Sequence, residues 1–235
     1  MEIKKHMPKV KFEVDKEKDK QMCSDSYFSK FIRNYDKSIP PAKFVEKVYS
    51  ENLKEIVASK ERLEKSWNVV NDKVMERLVD IIQIHWPERN PKAIMSVNEV
   101  CPRSVKDWYF YISYFLDVEM QKGIVLHELT HLIYFEKWKQ IFPNYKIEEF
   151  DKYYLVWELS EILVEPINKD KELRQFVPKT AKAYDRYYST KLQGGESVID
   201  HFTKLYENNK DDFGNMLKIA YSDIEKLKVF EKDKR

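Results

Sequence analysis

The residues best suited to chemistry lie at positions 127–131, where the sequence is His127-Glu128-Leu129-Thr130-His131. An α-helix completes a turn in 3.6 residues, so histidines four apart project from one face, about one turn from each other. Two imidazoles placed in this way can bind one tetrahedral Zn²⁺ and leave room for a third ligand and a water molecule. Glu128 lies about 100° around the helix from His127, at the edge of that face. The pattern predicts one zinc ion per chain, held by His127 and His131.

Hydrolysis at such a centre needs the glutamate as well as the metal. Zinc brings the pKa of its bound water toward about 7, and a carboxylate base then makes that water a nucleophile at neutral pH. Glu128 is the predicted general base. The competing interpretation is that two core histidines happen to lie one turn apart, because apolar residues surround them at helical spacing: Ile124, Leu129, Leu132, Ile133 and Phe135.

The HExxH sequence resembles the active-site helix of the zincin metallopeptidases. Metzincins continue with a glycine three residues after the second histidine and a further histidine three residues later. This chain has Tyr134 and Lys137 at those positions, so it does not resemble that branch. Gluzincins instead take their third ligand from a glutamate on a following helix. The resemblance is therefore gluzincin-like; it covers the order of motifs over residues 94–165 and does not identify a subfamily.

A helix with three candidate glutamates follows the motif, and Glu158, Glu161 and Glu165 share one stripe of it at spacings of three and four. Thermolysin-type gluzincins carry a second carboxylate four residues after the ligand, which orients the first histidine. The resemblance thus implies Glu161 as the third ligand and Glu165 as its partner, near a helix end at Pro166, with Glu158 as the alternative ligand. The spacing from the second histidine to this glutamate is longer than in thermolysin. The competing interpretation is a solvated acidic face.

Gluzincins also place a tyrosine or histidine where it can stabilise the oxyanion of the tetrahedral intermediate. The C-terminal region offers Tyr184, Tyr187, Tyr188 and His201. Tyr188 and His201 are the predicted donors. Because the chain has 15 tyrosines, packing in the core is the competing role for any one of them.

Two segments that alternate in twos, Ile94–Val100 and Trp108–Ser113, directly precede the motif helix and are predicted to be paired strands. The resemblance implies that one of them runs along the cleft with an unpaired edge, where an extended peptide can pair. Apolar spacing predicts helices elsewhere: one at Tyr27–Tyr35, two long ones between 42 and 84 joined near 59–66, and others at about 118–140, 151–165, 180–192, 196–209 and 215–229.

These elements predict an α+β fold, predominantly helical and zincin-like, with a small antiparallel sheet beside the active-site helix. Residues 1–140 would form an N-terminal part ending in that helix. Residues 141–235 would form a helical C-terminal part that supplies the third ligand. The two parts would make one catalytic unit with the cleft between them.

The composition limits the classes of partner that we expect for this chain. The net charge is +2, which gives no reason to expect nucleic acid or an anionic membrane surface as a partner. The uncharged apolar stretch Trp108–Leu116 is far shorter than the roughly 20 residues needed to span a bilayer. The 4 glycines do not form a phosphate-binding loop. The 2 cysteines form no framework and the start lacks a signal peptide, so the sequence predicts a cytoplasmic protein with reduced thiols.

The function predicted from these observations is a zinc-dependent metallopeptidase that acts on a peptide or protein, with the oligomeric state left open. The alternative is a non-catalytic module, either zincin-derived or purely helical, that binds a protein partner through its aromatic-rich strands.

Overall fold

The computed structural model describes residues 7–152, 154–180, 182–227 and 230, and within them the chain is mostly helical with one small sheet. The strands are β1 (Lys11–Glu13), β2 (Lys92–Ser96), β3 (Arg103–Ser104) and β4 (Tyr109–Ser113). The α-helices are α1 (Lys16–Cys23), α2 (Pro41–Asn68), α3 (Asn71–Ile82), α4 (Val118–Ile141), α5 (Leu155–Asn168), α6 (Lys171–Phe176), α7 (Asp185–Ser189), α8 (Val198–Asn209) and α9 (Phe213–Leu227). The predicted α+β class is confirmed.

The sheet is mixed, so the predicted antiparallel sheet is wrong. Its strand order is β1-β2-β4-β3. β2 is parallel to both β1 and β4, and only β3 runs antiparallel to its neighbour β4. The two strands predicted to pair do so, with Ala93 opposite Phe110. They run in the same direction because residues 97–108 return along the outer side of β4 as β3 before the chain enters β4. Parallel strands need a connection of about this length.

The free edges of the sheet belong to β1 and β3. β2 and β4 each have a neighbour on both sides, so the expectation that one of them offers an unpaired edge is wrong. The edge that contacts the motif helix is β3, through the side chains of Arg103 and Glu128. β3 has two residues and lies between the two predicted strands, where the sequence pattern predicts no strand. A strand this short gives no periodicity to detect.

Several helix boundaries differ from those predicted. α2 continues through 59–66 because the buried Ser59 hydroxyl bonds the carbonyl of Tyr114 at 2.6 Å, and apolar positions pack on both sides of it. The region 27–35 contains only a 3₁₀ turn, Phe28–Phe31, and 180–192 contains only α7. α6 was not predicted. Of the predicted helices, residues 153, 181, 228 and 229 lie outside the described residues.

The helices that carry the predicted site, α4 and α5, pack directly against each other. α4 begins where Asp117 accepts hydrogen bonds from the backbone N–H groups of Glu119 and Met120. The buried Thr130 hydroxyl lies 2.8 Å from Asn168 Oδ1 and ties the middle of α4 to the end of α5. This contact, together with the apolar packing around it, turns the motif histidines toward α5.

A buried carboxylate joins α1 to the end of β2. Asp19 has no exposed surface and accepts hydrogen bonds from Ser96 Oγ at 2.5 Å, from the Val97 N–H at 3.0 Å and from the Tyr49 hydroxyl at 3.1 Å. Burial raises the pKa of Asp19 to about 6, although these hydrogen bonds oppose the shift. The network fixes α1 beside the sheet.

The two cysteines carry free thiols, as predicted. Cys23 is buried and Cys101 is half-buried, and burial raises the pKa of Cys101 to about 11, so this thiol is protonated at neutral pH. None of the helices in the described ranges combines the length and the apolar character needed to cross a membrane.

Asp19 predicts a specific dependence of stability on pH. Its pKa is higher in the folded protein than the ordinary 3.8, so the folded state binds this proton more tightly than the unfolded chain. The stability that the protonated group contributes is therefore lost as the pH rises from about 4 to about 6. The Asp19→Asn side chain does not titrate, so the variant lacks this pH-dependent contribution to stability. As the pH rises from about 4 to about 6, the free energy of unfolding of wild type should fall relative to that of the variant by up to about 3 kcal/mol.

Urea unfolding at several pH values measures this difference. Glu51→Gln, an exposed change on α2, is the control that should show no such slope. If the difference in free energy of unfolding between wild type and Asp19→Asn stays constant with pH, the raised pKa of Asp19 is contradicted.

Candidate metal centre

Three side chains converge where α4 faces α5. The Nε2 atoms of His127 and His131 are 3.0 Å apart. His131 Nε2 lies 3.4 Å from Glu161 Oε1, and His127 Nε2 lies 3.7 Å from Glu161 Oε2. Donors bound at about 2.0–2.1 Å around a tetrahedral ion are separated by about 3.3 Å. The group can therefore hold one metal ion with little movement of its side chains.

The protonation states also suit a cation. Burial lowers the pKa of His131 to about 3, with the charge of Arg103 adding to the effect, so its imidazole is neutral and offers a lone pair. Burial alone would raise the pKa of Glu161, but His131 and Arg103 beside it reverse the shift and hold that pKa well below its usual range. The neutral imidazole of His131 and the carboxylate of Glu161 are thus both available as ligands, beside the ring of His127.

Arg103 is the site residue that the sequence analysis missed. Its guanidinium donates from Nη1 to Glu128 Oε2 at 3.2 Å and from Nη2 to Glu161 Oε1 at 2.6 Å. The Arg103 side chain is 10% exposed. Its partners are 25 and 58 residues away in the sequence, so no local spacing connects them. The only local signal is a charged residue beside Pro102, between two apolar segments.

Glu128, the predicted general base, shares Arg103 as a partner with Glu161. It is buried within the same cluster, and its carboxylate is bound to Arg103 through one oxygen. Burial raises the pKa of Glu128, while Arg103 opposes the shift. A raised pKa makes this carboxylate a stronger proton acceptor than an exposed glutamate.

The other two glutamates of α5 point to different partners. Glu158 accepts from Arg186 Nη2 and from the Tyr187 hydroxyl, both at 2.7 Å. Glu165 accepts from Lys169 Nζ at 2.6 Å, from the N–H of Ala183 at 2.6 Å and from the Tyr188 hydroxyl. The structure thus brings neither of them to the histidines.

All three glutamates are buried, so the solvated acidic face is wrong. The α5 helix also continues past Pro166 to Asn168, so Glu165 does not end it. Within the described residues, the Nδ1 atoms of His127 and His131 are buried without hydrogen-bond partners. The expected hydrogen bond between His127 and Glu165 is therefore not formed, and the prediction that Glu165 orients the first histidine is wrong.

The structure does not bring the predicted oxyanion donors to the cluster. The Tyr188 hydroxyl is bound to Glu165, and His201 lies between Glu196 and Asp223, at 3.5 and 3.4 Å. Tyr188 lies in the short α7, within the longer helix predicted over 180–192, and His201 lies in α8, which corresponds to the predicted helix 196–209. Of the four C-terminal candidates, Tyr184 is the one that lines the same cleft as the cluster, and its side chain is partly exposed.

A cleft of about 990 Å³ opens onto His127, Glu128 and Glu161. Residues from both the N-terminal and the C-terminal part of the chain line it. Its aromatic walls are formed by Tyr27, Phe28, Tyr109, Tyr111, Phe150, Trp157 and Tyr184. The segment that contains β3 lies along it. A polar reactive group at the base of an aromatic cleft is the usual arrangement of a binding site.

The strand β3 presents its free edge beside this cleft. Tyr111 donates its N–H to the carbonyl of Pro102 at 2.9 Å, which makes the next pair, Arg103 with Phe110, a non-hydrogen-bonded pair of the antiparallel ladder. The backbone N–H and C=O of Arg103 therefore point away from β4. Its side chain, perpendicular to the sheet, reaches the glutamates.

We expect this group to bind one metal ion per chain, and its two histidines and one glutamate predict that the ion is zinc. Replacing His131 or Glu161 by alanine should weaken zinc binding by more than about 100-fold, because loss of a direct ligand costs more than the roughly 10- to 100-fold lost with an outer partner. Chelator competition measures the affinity, and elemental analysis measures the stoichiometry.

His201→Ala and Glu158→Gln are the matched controls and should keep both values. Loss of zinc in the Glu158 variant with retention in the Glu161 variant would show that the third ligand is misassigned. If the wild-type protein has no affinity for zinc, the result would support the competing interpretation, in which two core histidines happen to lie one turn apart.

Comparisons of this chain with protein-family models, with curated proteins and with solved structures found no match. The resemblance to gluzincins therefore depends on the motif residues and on the site that the fold builds around them.

Proposed function

We propose that this protein is a zinc-dependent metallopeptidase. The observation that carries the proposal is the convergence of His127, His131 and Glu161, with the buried carboxylate of Glu128 beside them, at the base of one cleft. A His₂Glu ligand set with one open position is characteristic of catalytic zinc, whereas structural zinc sites use four protein ligands.

In this proposal, different residues have different roles in peptide hydrolysis. A bound zinc ion supplies a Lewis acid, which lowers the pKa of water to about 7 and polarises a carbonyl oxygen. Glu128 accepts the proton of the attacking water and transfers it to the leaving amine nitrogen as the C–N bond breaks. Tyr184, which lines the same cleft, is the proposed donor of a hydrogen bond to the carbonyl oxygen as negative charge develops.

The substrate in this proposal is an extended peptide that lies along β3. The outward N–H and C=O of Arg103 offer one donor and one acceptor to its main chain, and such bonds do not depend on side-chain identity. Selectivity then comes from the aromatic walls of the cleft, such as Trp157 and Phe150. A folded protein should be a poor substrate, since a strand must first be freed to pair.

Glu128→Gln tests the reaction. The amide keeps the shape of the side chain but cannot accept a proton, so hydrolysis should fall by about 10²- to 10⁴-fold with zinc retained. His127→Ala should lose both zinc and hydrolysis. Cleavage of a fluorogenic peptide library, with zinc content measured on the same samples, gives both quantities.

Wild-type turnover by the Gln variant would contradict the mechanism. A wild-type protein that binds zinc and peptides but cleaves none would instead support the non-catalytic module.

Tyr184→Phe tests the oxyanion donor. Loss of one such donor typically lowers kcat by about 10²- to 10³-fold. Tyr188→Phe is the matched control, because its hydroxyl is bound to Glu165, and it should lower kcat far less. Equal effects of the two changes on kcat, with folding checked by circular dichroism, would count against Tyr184.

A further inference from the structure

Arg103 contributes to two parts of the proposed site, one through its main chain and one through its side chain. Its main chain forms the outward edge of β3, and its side chain ends on the proposed base and on the proposed metal ligand. We propose that Arg103 couples substrate binding to catalysis: a peptide that pairs with its backbone restrains the guanidinium that positions Glu128 and Glu161. This inference rests on the proposed function and names the residue that links its two halves.

The side-chain half of the coupling rests on the fork geometry of arginine. A guanidinium is planar and carries five N–H donors in fixed directions, so one group can hold two carboxylates at a set separation. Glu128 and Glu161 each give one oxygen to Arg103. An ionised carboxylate has about four lone-pair positions, so each glutamate keeps acceptor positions besides the one that Arg103 uses, at Glu128 for the proton and at Glu161 for the metal. A lysine ammonium at this position has no such rigid fork.

Charge gives the same residue a second role. The carboxylates of Glu128 and Glu161 are both buried and repel each other. The guanidinium between them offsets the repulsion, and its 10% exposure keeps water from screening the interaction. A small displacement of Arg103 would therefore move the base relative to the metal ligand.

The backbone half of the coupling rests on the shortness of β3. The strand has two residues and pairs with β4 on one side only, so in the described structure its outer side has no strand neighbour. A peptide strand bonded to the Arg103 N–H and C=O completes the pairing and restrains the backbone from which the guanidinium extends. Part of the pairing energy should then appear in kcat as well as in KM, because misplacement of a catalytic group by about 1 Å can cost about 10²-fold in rate.

A series of cleavable peptides, each N-methylated at one amide, tests the coupling in zinc-loaded wild type and in Arg103→Lys. In wild type, methylation of the amide that bonds the Arg103 carbonyl should lower kcat by about 10-fold or more and also raise KM. In Arg103→Lys, kcat for the unmethylated peptide should already be lower by a similar factor. The same methylation should then raise KM alone.

The rigid fork also predicts an effect that does not involve turnover. Arg103→Lys should weaken zinc binding by about 10-fold in chelator competition, because Glu161 loses its outer partner. Arg89→Lys is the matched control: Arg89 pairs with Glu136 away from the cluster, and this change should leave zinc affinity and the methylation pattern as in wild type.

Arg103→Ala tests the side-chain contact with the glutamates separately from the backbone pairing at β3. Added guanidinium ion should restore part of kcat for the unmethylated peptide, because it can occupy the space between the two glutamates. The methylation effect on kcat should stay absent, because the added ion is not attached to β3.

The outcomes are distinct. If the methylation penalty on kcat is the same in wild type and in Arg103→Lys, the two halves act independently and the coupling is wrong. Wild-type zinc affinity in the lysine variant would overturn the positioning role. A wild-type protein that binds zinc and cleaves no peptide of the series contradicts the proposed function itself, and this inference with it.

Discussion

The site depends on one buried ionic arrangement, the guanidinium of Arg103 between the carboxylates of Glu128 and Glu161. Two carboxylates of this burial would be costly without a cation beside them. The guanidinium of Arg103 offsets this cost for both glutamates, beside the imidazoles of His127 and His131. The same contact joins three elements, β3, α4 and α5, that are distant in sequence.

The mixed sheet determines which strand borders the cleft. Because β2 and β4 run parallel, the connection between them must cross back, and that crossing supplies β3 as the edge nearest α4. The strongly apolar strands become interior strands, and a polar strand of two residues is left to face the cleft. The fold thus places Arg103 on a free edge of the sheet, beside the candidate metal ligand Glu161.

Sequence reasoning could predict what periodicity and local spacing encode. The 3.6-residue repeat placed His127 and His131 on one helical face. Spacing gave three glutamates on one stripe of α5, and the resemblance to gluzincins then favoured Glu161, which the structure brings to the histidines. Strand direction could not be predicted, because alternation is the same in parallel and antiparallel pairs. Arg103, Tyr184 and the true partners of Glu165 depend on contacts across the fold, for which a single sequence contains no local signal.

The most direct test of the central claim is a crystal structure of the zinc-loaded protein, with anomalous data collected at the zinc absorption edge. The account predicts one anomalous peak per chain, at about 2.0–2.1 Å from the Nε2 atoms of His127 and His131 and about 2.0–2.2 Å from a carboxylate oxygen of Glu161. A peak bound elsewhere, or none between the two histidines at stoichiometric zinc, would contradict it.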